Sequence, residues 1–185
     1  MNPRTRARVA VGVLAIALFA ATLACGDGDE DATTTTTTAA PTSSTALRTE
    51  VKVFLTTPET GDPDCGLVAA APRTVEGSDV LAAAMIALLA GPTAAERDAG
   101  YMSWFSDQTA GTLISARRGA GVARVDFEDF SARIPNASSS CGSQSLLAQL
   151  DGTATQFPGM ERAVYSFEGD TSRFYEWLQL AAPDE

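Results

Sequence analysis

Histidine is absent from all 185 residues. Its absence removes Ser-His and Cys-His nucleophilic catalysis and the usual zinc sites together. Lysine occurs once, at Lys52, and neither a Ser-x-x-Lys pair nor a phosphate-cradling Gly-x-x-x-x-Gly-Lys loop is present. There are only three cysteines, Cys25, Cys65 and Cys141. Positive charge is scarce, with 13 basic residues against 23 acidic ones. Three of the basic residues, Arg4, Arg6 and Arg8, and none of the acidic ones precede Cys25. A chain this acidic is repelled by nucleic acid and by anionic headgroups. Composition therefore points to no cofactor, no metal and no nucleic-acid partner.

What is present falls into three parts. Residues 1–24 have the layout of a secretory signal: a basic start, the apolar run VAVGVLAIALFAATLA from Val9 to Ala24, and small residues at its end. The apolar run is short for a spanning helix, which needs about 20 residues. Cys25 follows in the context TLAC and resembles the lipidation site of bacterial lipoproteins, although Thr22 stands where leucine is usual. Ordinary cleavage near Ala24 is the alternative. Residues 25–49 are rich in Thr, Ser, Ala and Asp and hold almost nothing large and apolar. Such a stretch buries too little to offset its ordering entropy and is expected to be a disordered tether. As a coil it spans roughly 25 to 30 Å. Residues 50–185 are globular in composition and suit one domain. In an exterior compartment Cys65 and Cys141 are most simply one disulfide, the alternative being two buried thiols.

Within the domain, alternation predicts strands at Val51–Leu55 and Leu67–Val75, the second at an edge or near its end because of Pro72. A helix follows Ser78 or Asp79, with Val80, Leu81, Ala84, Met85, Leu88 and Leu89 on one face. Gly91 and Pro92 end it. Thr93 and Glu96 have capping-box spacing and start a short helix that Gly100 stops. The run Thr112–Phe130 predicts a hairpin turning at Arg118-Gly119-Ala120-Gly121, with Ala123, Val125 and Phe127 on one face and Arg124, Asp126 and Glu128 on the other. A helix from about Gly142 to Gln156 carries Leu146, Leu147, Leu150, Ala154 and Phe157. A strand covers Ala163–Glu168, and the tail from Ser172 to Leu180 predicts a last turn or short strand. The expected fold is α+β: about five strands, in a mainly antiparallel or mixed sheet, with two main helices packed on one face.

In order, LLAGPTAAERDAGYMSWF, VARVDFEDF and LLAQLDGTATQFPGMERAVYSFEGD resemble the GerMN domain of the sporulation and spore germination family. The landmarks are Leu89, Gly91, Pro92, Thr93, Glu96, Gly100 and Tyr101, then Val125, Asp126 and Phe127, then Leu150, Thr153, Gln156, Phe157, Pro158 and Gly169. The resemblance implies an extracytoplasmic domain, often on a lipoprotein, without known catalysis and associated with envelope or spore assembly. It brings no active site. The expected function is non-enzymatic: a membrane-anchored, outward-facing domain that binds or scaffolds an envelope protein or cell-wall partner. A lipoprotein that binds a small molecule or cell-wall fragment is the alternative. A carboxylate hydrolase built on Asp126, Glu128 and Asp129 is a third. Tyr101, Trp104 and Phe105 are the candidate partner-binding residues, with Tyr175 and Trp177 as an extension. Equally, the three aromatics would close one end of the core. Arg117 and Arg118, near the hairpin turn, are either solvated or in contact with an anionic polymer.

Overall fold

Five strands and four α-helices alternate through residues 47–59 and 64–183, which the computed structural model describes. The signal, Cys25 and most of the tether lie outside the described residues. In chain order the elements are β1 (Arg48–Leu55), β2 (Ala69–Glu76), α1 (Val80–Leu89), α2 (Ala94–Asp98), β3 (Leu113–Gly119), β4 (Val122–Phe127), α3 (Ser140–Thr155), β5 (Arg162–Phe167) and α4 (Thr171–Trp177). The α+β class and the five strands agree with the pattern read from the sequence.

Those strands form two sheets. β1 and β2 pair antiparallel, Lys52 opposite Pro72. β3 and β4 form the antiparallel hairpin, and β5 joins β4 in parallel, giving the order β3-β4-β5. The hairpin turns through Ala120 and Gly121, both at positive φ (48° and 77°). Positive φ at both central residues is the two-residue turn whose twist suits flanking strands.

A physical reason for two sheets lies in α3. The Gln156 side-chain amide accepts from Lys52 N–H and donates to Lys52 C=O, both at 2.7 Å, and Thr153 Oγ1 accepts from Phe54 N–H at 3.1 Å. Side chains of one helix thus occupy the edge of β1 that faces away from β2. The far edge of β2 contains Pro72, which has no N–H to offer a further strand. The small sheet is closed on one side by a helix and interrupted on the other by a proline.

The helices join the sheets. α1 packs on β1, β2 and β3, and α3 packs on β1, β5 and α1. Leu81, Ala84, Met85, Leu88 and Leu89 of α1 are buried, as are Leu146, Leu150 and Ala154 of α3. Against them lie Ala123, Val125 and Phe127 of β4 with Tyr165 and Phe167 of β5. Asp79 caps α1 by accepting from Ala82 N–H. Gly152, which helix propensity would disfavour, has a packing reason. A Cβ there would lie 2.6 Å from Cγ of Phe54. The glycine lets the β1 phenyl ring meet the α3 backbone.

The tail departs from expectation. Residues Thr171–Trp177 are helical, capped by Asp170 accepting from Arg173 N–H. Phe174, Tyr175 and Leu178 are buried, and a short helix places them on one side. Trp177 packs against Phe130, Phe167 and Phe174, with centroids 5.4 to 5.8 Å apart.

Candidate functional site

The segment after α2 is held in place by main-chain bonds before any side chain is considered. Gly100 (φ 89°) ends α2, with Gly100 N–H bonded to Arg97 C=O and Tyr101 N–H to Glu96 C=O. That pair of bonds is a Schellman stop. Met102 then exchanges two backbone bonds with Thr56, at 3.0 and 2.8 Å, just beyond the end of β1. Ser103 Oγ donates to Gln149 Oε1 of α3 at 2.6 Å and accepts from Phe105 N–H. Phe105 C=O lies against Gly91, where a Cβ would come within 2.5 Å of that oxygen. Gly91 is therefore needed twice, for φ of 75° and for this approach.

An arginine that the sequence did not single out anchors the same region. Arg73 of β2 reaches the C-terminal end of α1 and donates to Ala87 C=O (2.5 Å) and Gly91 C=O (2.9 Å). Its guanidinium also grips both carboxylate oxygens of Glu96, at 2.9 and 2.5 Å. Glu96 completes the capping box with Thr93. Both side chains of the pair are only 12–13 % exposed. Burial raises the pKa of Glu96. Hydrogen bonds from Arg73 and from Thr93 N–H, with the Arg73 charge, outweigh it and hold the carboxyl below its ordinary value. Thr109 Oγ1 adds a bond to Leu89 C=O at 2.7 Å. Carbonyls that a helix end leaves without partners are thus satisfied from two directions.

On this frame the three candidate aromatics separate. Phe105 is buried and meets Phe130 edge-on at 6.1 Å. Tyr101 and Trp104 pack on the core but remain partly exposed, and Met102 between them is 51 % exposed. The segment forms a ridge with an open cleft on each side. One, of about 720 Å³, is lined by Pro92, Arg97, Tyr101 and Phe105 among others. The second, of about 450 Å³, is lined by Thr56, Trp104, Gly142, Ser145 and the disulfide between Cys65 and Cys141, whose Cα atoms are 5.3 Å apart. Met102 and Ser103 line both. Tyr175 and Trp177 line neither. Beneath Ser103, Gln149 is fully buried and its Nε2 has no hydrogen-bond partner.

The acidic cluster at the end of β4 is engaged elsewhere. Asp126 accepts from Ser166 Oγ (2.7 Å) and Gly169 N–H (2.8 Å), tying β4 to the turn after β5. Asp129 accepts from Ser131 N–H and pairs with Arg173 at 2.5 Å. Its burial acts to raise its pKa, but the Ser131 bonds and the Arg173 charge lower it below the usual value. Glu128 is exposed. Among the described residues no group of three or more acidic or cysteine side chains converges as a metal site.

Architecture and surface together define a small α+β domain whose candidate ridge is flanked by two open clefts. A family model described as sporulation and spore germination, the Germane or GerMN domain, matches residues 52–172, and the chain belongs to that family. No curated protein and no solved structure matches it. The landmarks named from the sequence have structural work: Gly91 admits Phe105, Glu96 holds Arg73, Asp126 ties the β5 turn, and Thr153 and Gln156 cover β1. Family membership thus speaks for a sporulation- or germination-related domain through its fold.

Proposed function

We propose that the protein is a lipid-anchored, extracytoplasmic binding module that docks an envelope partner through the ridge Tyr101–Phe105 and carries out no catalysis of its own. One observation carries this reading. Met102 and Trp104 are presented to solvent on a backbone fixed to β1, α3 and the end of α1, with Phe105 buried beneath as an anchor. Rigid, partly exposed aromatic and Met side chains are the composition of protein-binding surfaces. Engagement of Asp126 and Asp129 in structural bonds favours binding over hydrolysis. Lipid on Cys25 would fix the module to the membrane, and the tether would set its search radius.

A photo-crosslinking residue at Met102 in living cells tests the ridge. The same neighbour should be captured repeatedly from Met102, and not from a probe at Ile86, an exposed position on α1. Capture independent of position would sink the reading. Cys25→Ser should release the protein from the membrane fraction, and retention there would remove the anchor from the proposal. Small-molecule binding, the second reading, draws support from the buried Gln149 Nε2, which has no hydrogen-bond partner and lies beneath Ser103, a residue that lines both clefts. Native mass spectrometry of protein extracted from its own cells would then show a bound species that Gln149→Leu lacks.

A further inference from the structure

The outward face of the three-stranded sheet opposes two like charges. Register places Arg117 of β3 directly across from Arg124 of β4, and both are exposed. Like charges directly opposite each other on a sheet are destabilising. Neither takes part in any of the ion pairs among the described residues. The chain as a whole carries 23 acidic residues against 13 basic ones, so carboxylates are not in short supply. Asp79, which borders the same hollow as Arg117, is instead engaged in capping α1. Asp126, on the same face, is engaged with Ser166 and Gly169.

The surroundings of the pair are apolar as well as cationic. Val164 of β5 lies beside Arg124 in register and is half-buried. A bulge between Leu113 and Ser115 leaves Ile114 on the edge strand, 51 % exposed. Arg118, the next residue after Arg117, falls on the opposite face of β3 by alternation and stacks over the Phe157 ring at 5.4 Å.

We infer that Arg117 and Arg124 form a docking surface for an acidic segment of a partner protein, in which carboxylates alternate with apolar side chains. Two guanidinium forks held one strand apart offer bidentate donors to carboxylates. Val164 and Ile114 supply contact for the apolar residues between them. A long phosphate polymer fits less well, because it has no apolar groups to set against Val164 beside Arg124. The surface shares no residue with the ridge Tyr101–Phe105, so the inference stands or falls separately from the proposed docking there.

A fluorescent peptide of alternating glutamate and valine, titrated into the full chain in detergent, tests it by anisotropy. Saturable binding should appear at low salt and weaken as salt rises. Roughly threefold or greater loss is expected for Arg117→Thr or Arg124→Thr, and roughly tenfold or greater for the double variant, since each removes a charge-assisted contact. Lys52→Thr, an exposed change on β1 outside both surfaces, should bind the peptide as the parent does. The double variant should melt no lower than the parent, because a repulsive pair has been removed. Equal binding by the parent and the double variant would overturn the inference. So would a lower melting temperature of the double variant, which would assign the arginines to the fold. Arginine-dependent binding of polyphosphate without binding of the peptide would overturn it in favour of a phosphate partner.

Discussion

Arg73 shows how one side chain can hold three elements. It lies on β2, donates to two carbonyls at the end of α1, and grips the carboxylate that caps α2. Arg73→Ala would leave Glu96 largely buried without its counter-charge. We expect a loss of about 3 kcal/mol, read from chemical denaturation. Glu96 has a lowered folded pKa, so its contribution is fully present above the ordinary glutamate value. It disappears as pH falls through the folded one. Asp129 acts in the same direction. Stability should therefore drop as pH falls from 5 toward 3, and Glu96→Gln should flatten part of that drop. An unchanged slope in Glu96→Gln would contradict the assignment. The Arg73 contacts were not visible in the sequence. Thr93 and Glu96 announce a capping box through their spacing, whereas Arg73 is 23 residues away from Glu96 and looks like any strand arginine.

At the scale of elements, punctuation and the β3–β4 hairpin were legible, and pairing between distant segments was not. Asp79, Gly91, Thr93 and Gly100 act as the helix signals imply, because caps are local bonds between neighbours in sequence. The division of five strands into two sheets depends on Thr153 and Gln156 meeting a strand about 100 residues earlier, which no local pattern reports. The helical tail was illegible for a different reason: Phe174, Tyr175 and Trp177 crowd together in a way that suits strand or helix, and only the Asp170 cap favours the helix. Gly152→Ala is a sharp test of the α3–β1 contact. Helix propensity alone would stabilise the variant by up to about 1 kcal/mol. Collision with the Phe54 ring should instead destabilise it by about 1–3 kcal/mol. A melting temperature at or above the parent's would show that α3 and β1 are less closely joined than described. Gln156→Ala should expose the backbone of β1 at Lys52, and sedimentation should then detect self-association through that edge.

For the whole molecule, the Cys65–Cys141 bridge connects the segment after β1 to the first turn of α3, across 76 residues of chain. In the loop-entropy model that crosslink contributes about 4 kcal/mol by restricting the unfolded chain. The double variant Cys65→Ser with Cys141→Ser should lose up to that amount, with the larger part of the loss in the unfolding midpoint rather than in peptide binding at Arg117 and Arg124. A midpoint unchanged by the double substitution would mean that the bridge constrains little. At this scale the motifs that resemble the GerMN domain identified the family, whose model matches residues 52–172, and hydrophobic periodicity identified the fold class. The sequence showed the ridge only as three neighbouring aromatics. Which of them is buried depends on Gly91 and Phe130, contacts that form after the chain has folded.

The two backbone bonds between Thr56 and Met102 bear on how quickly a visitor could be accepted. A recognition loop that must first find its shape lowers the odds of each encounter, but the segment proposed here for docking is already clamped to β1. Adjustment on meeting then falls to the other molecule, and the lifetime of the complex, rather than its rate of formation, becomes the quantity that changes at Trp104 would alter.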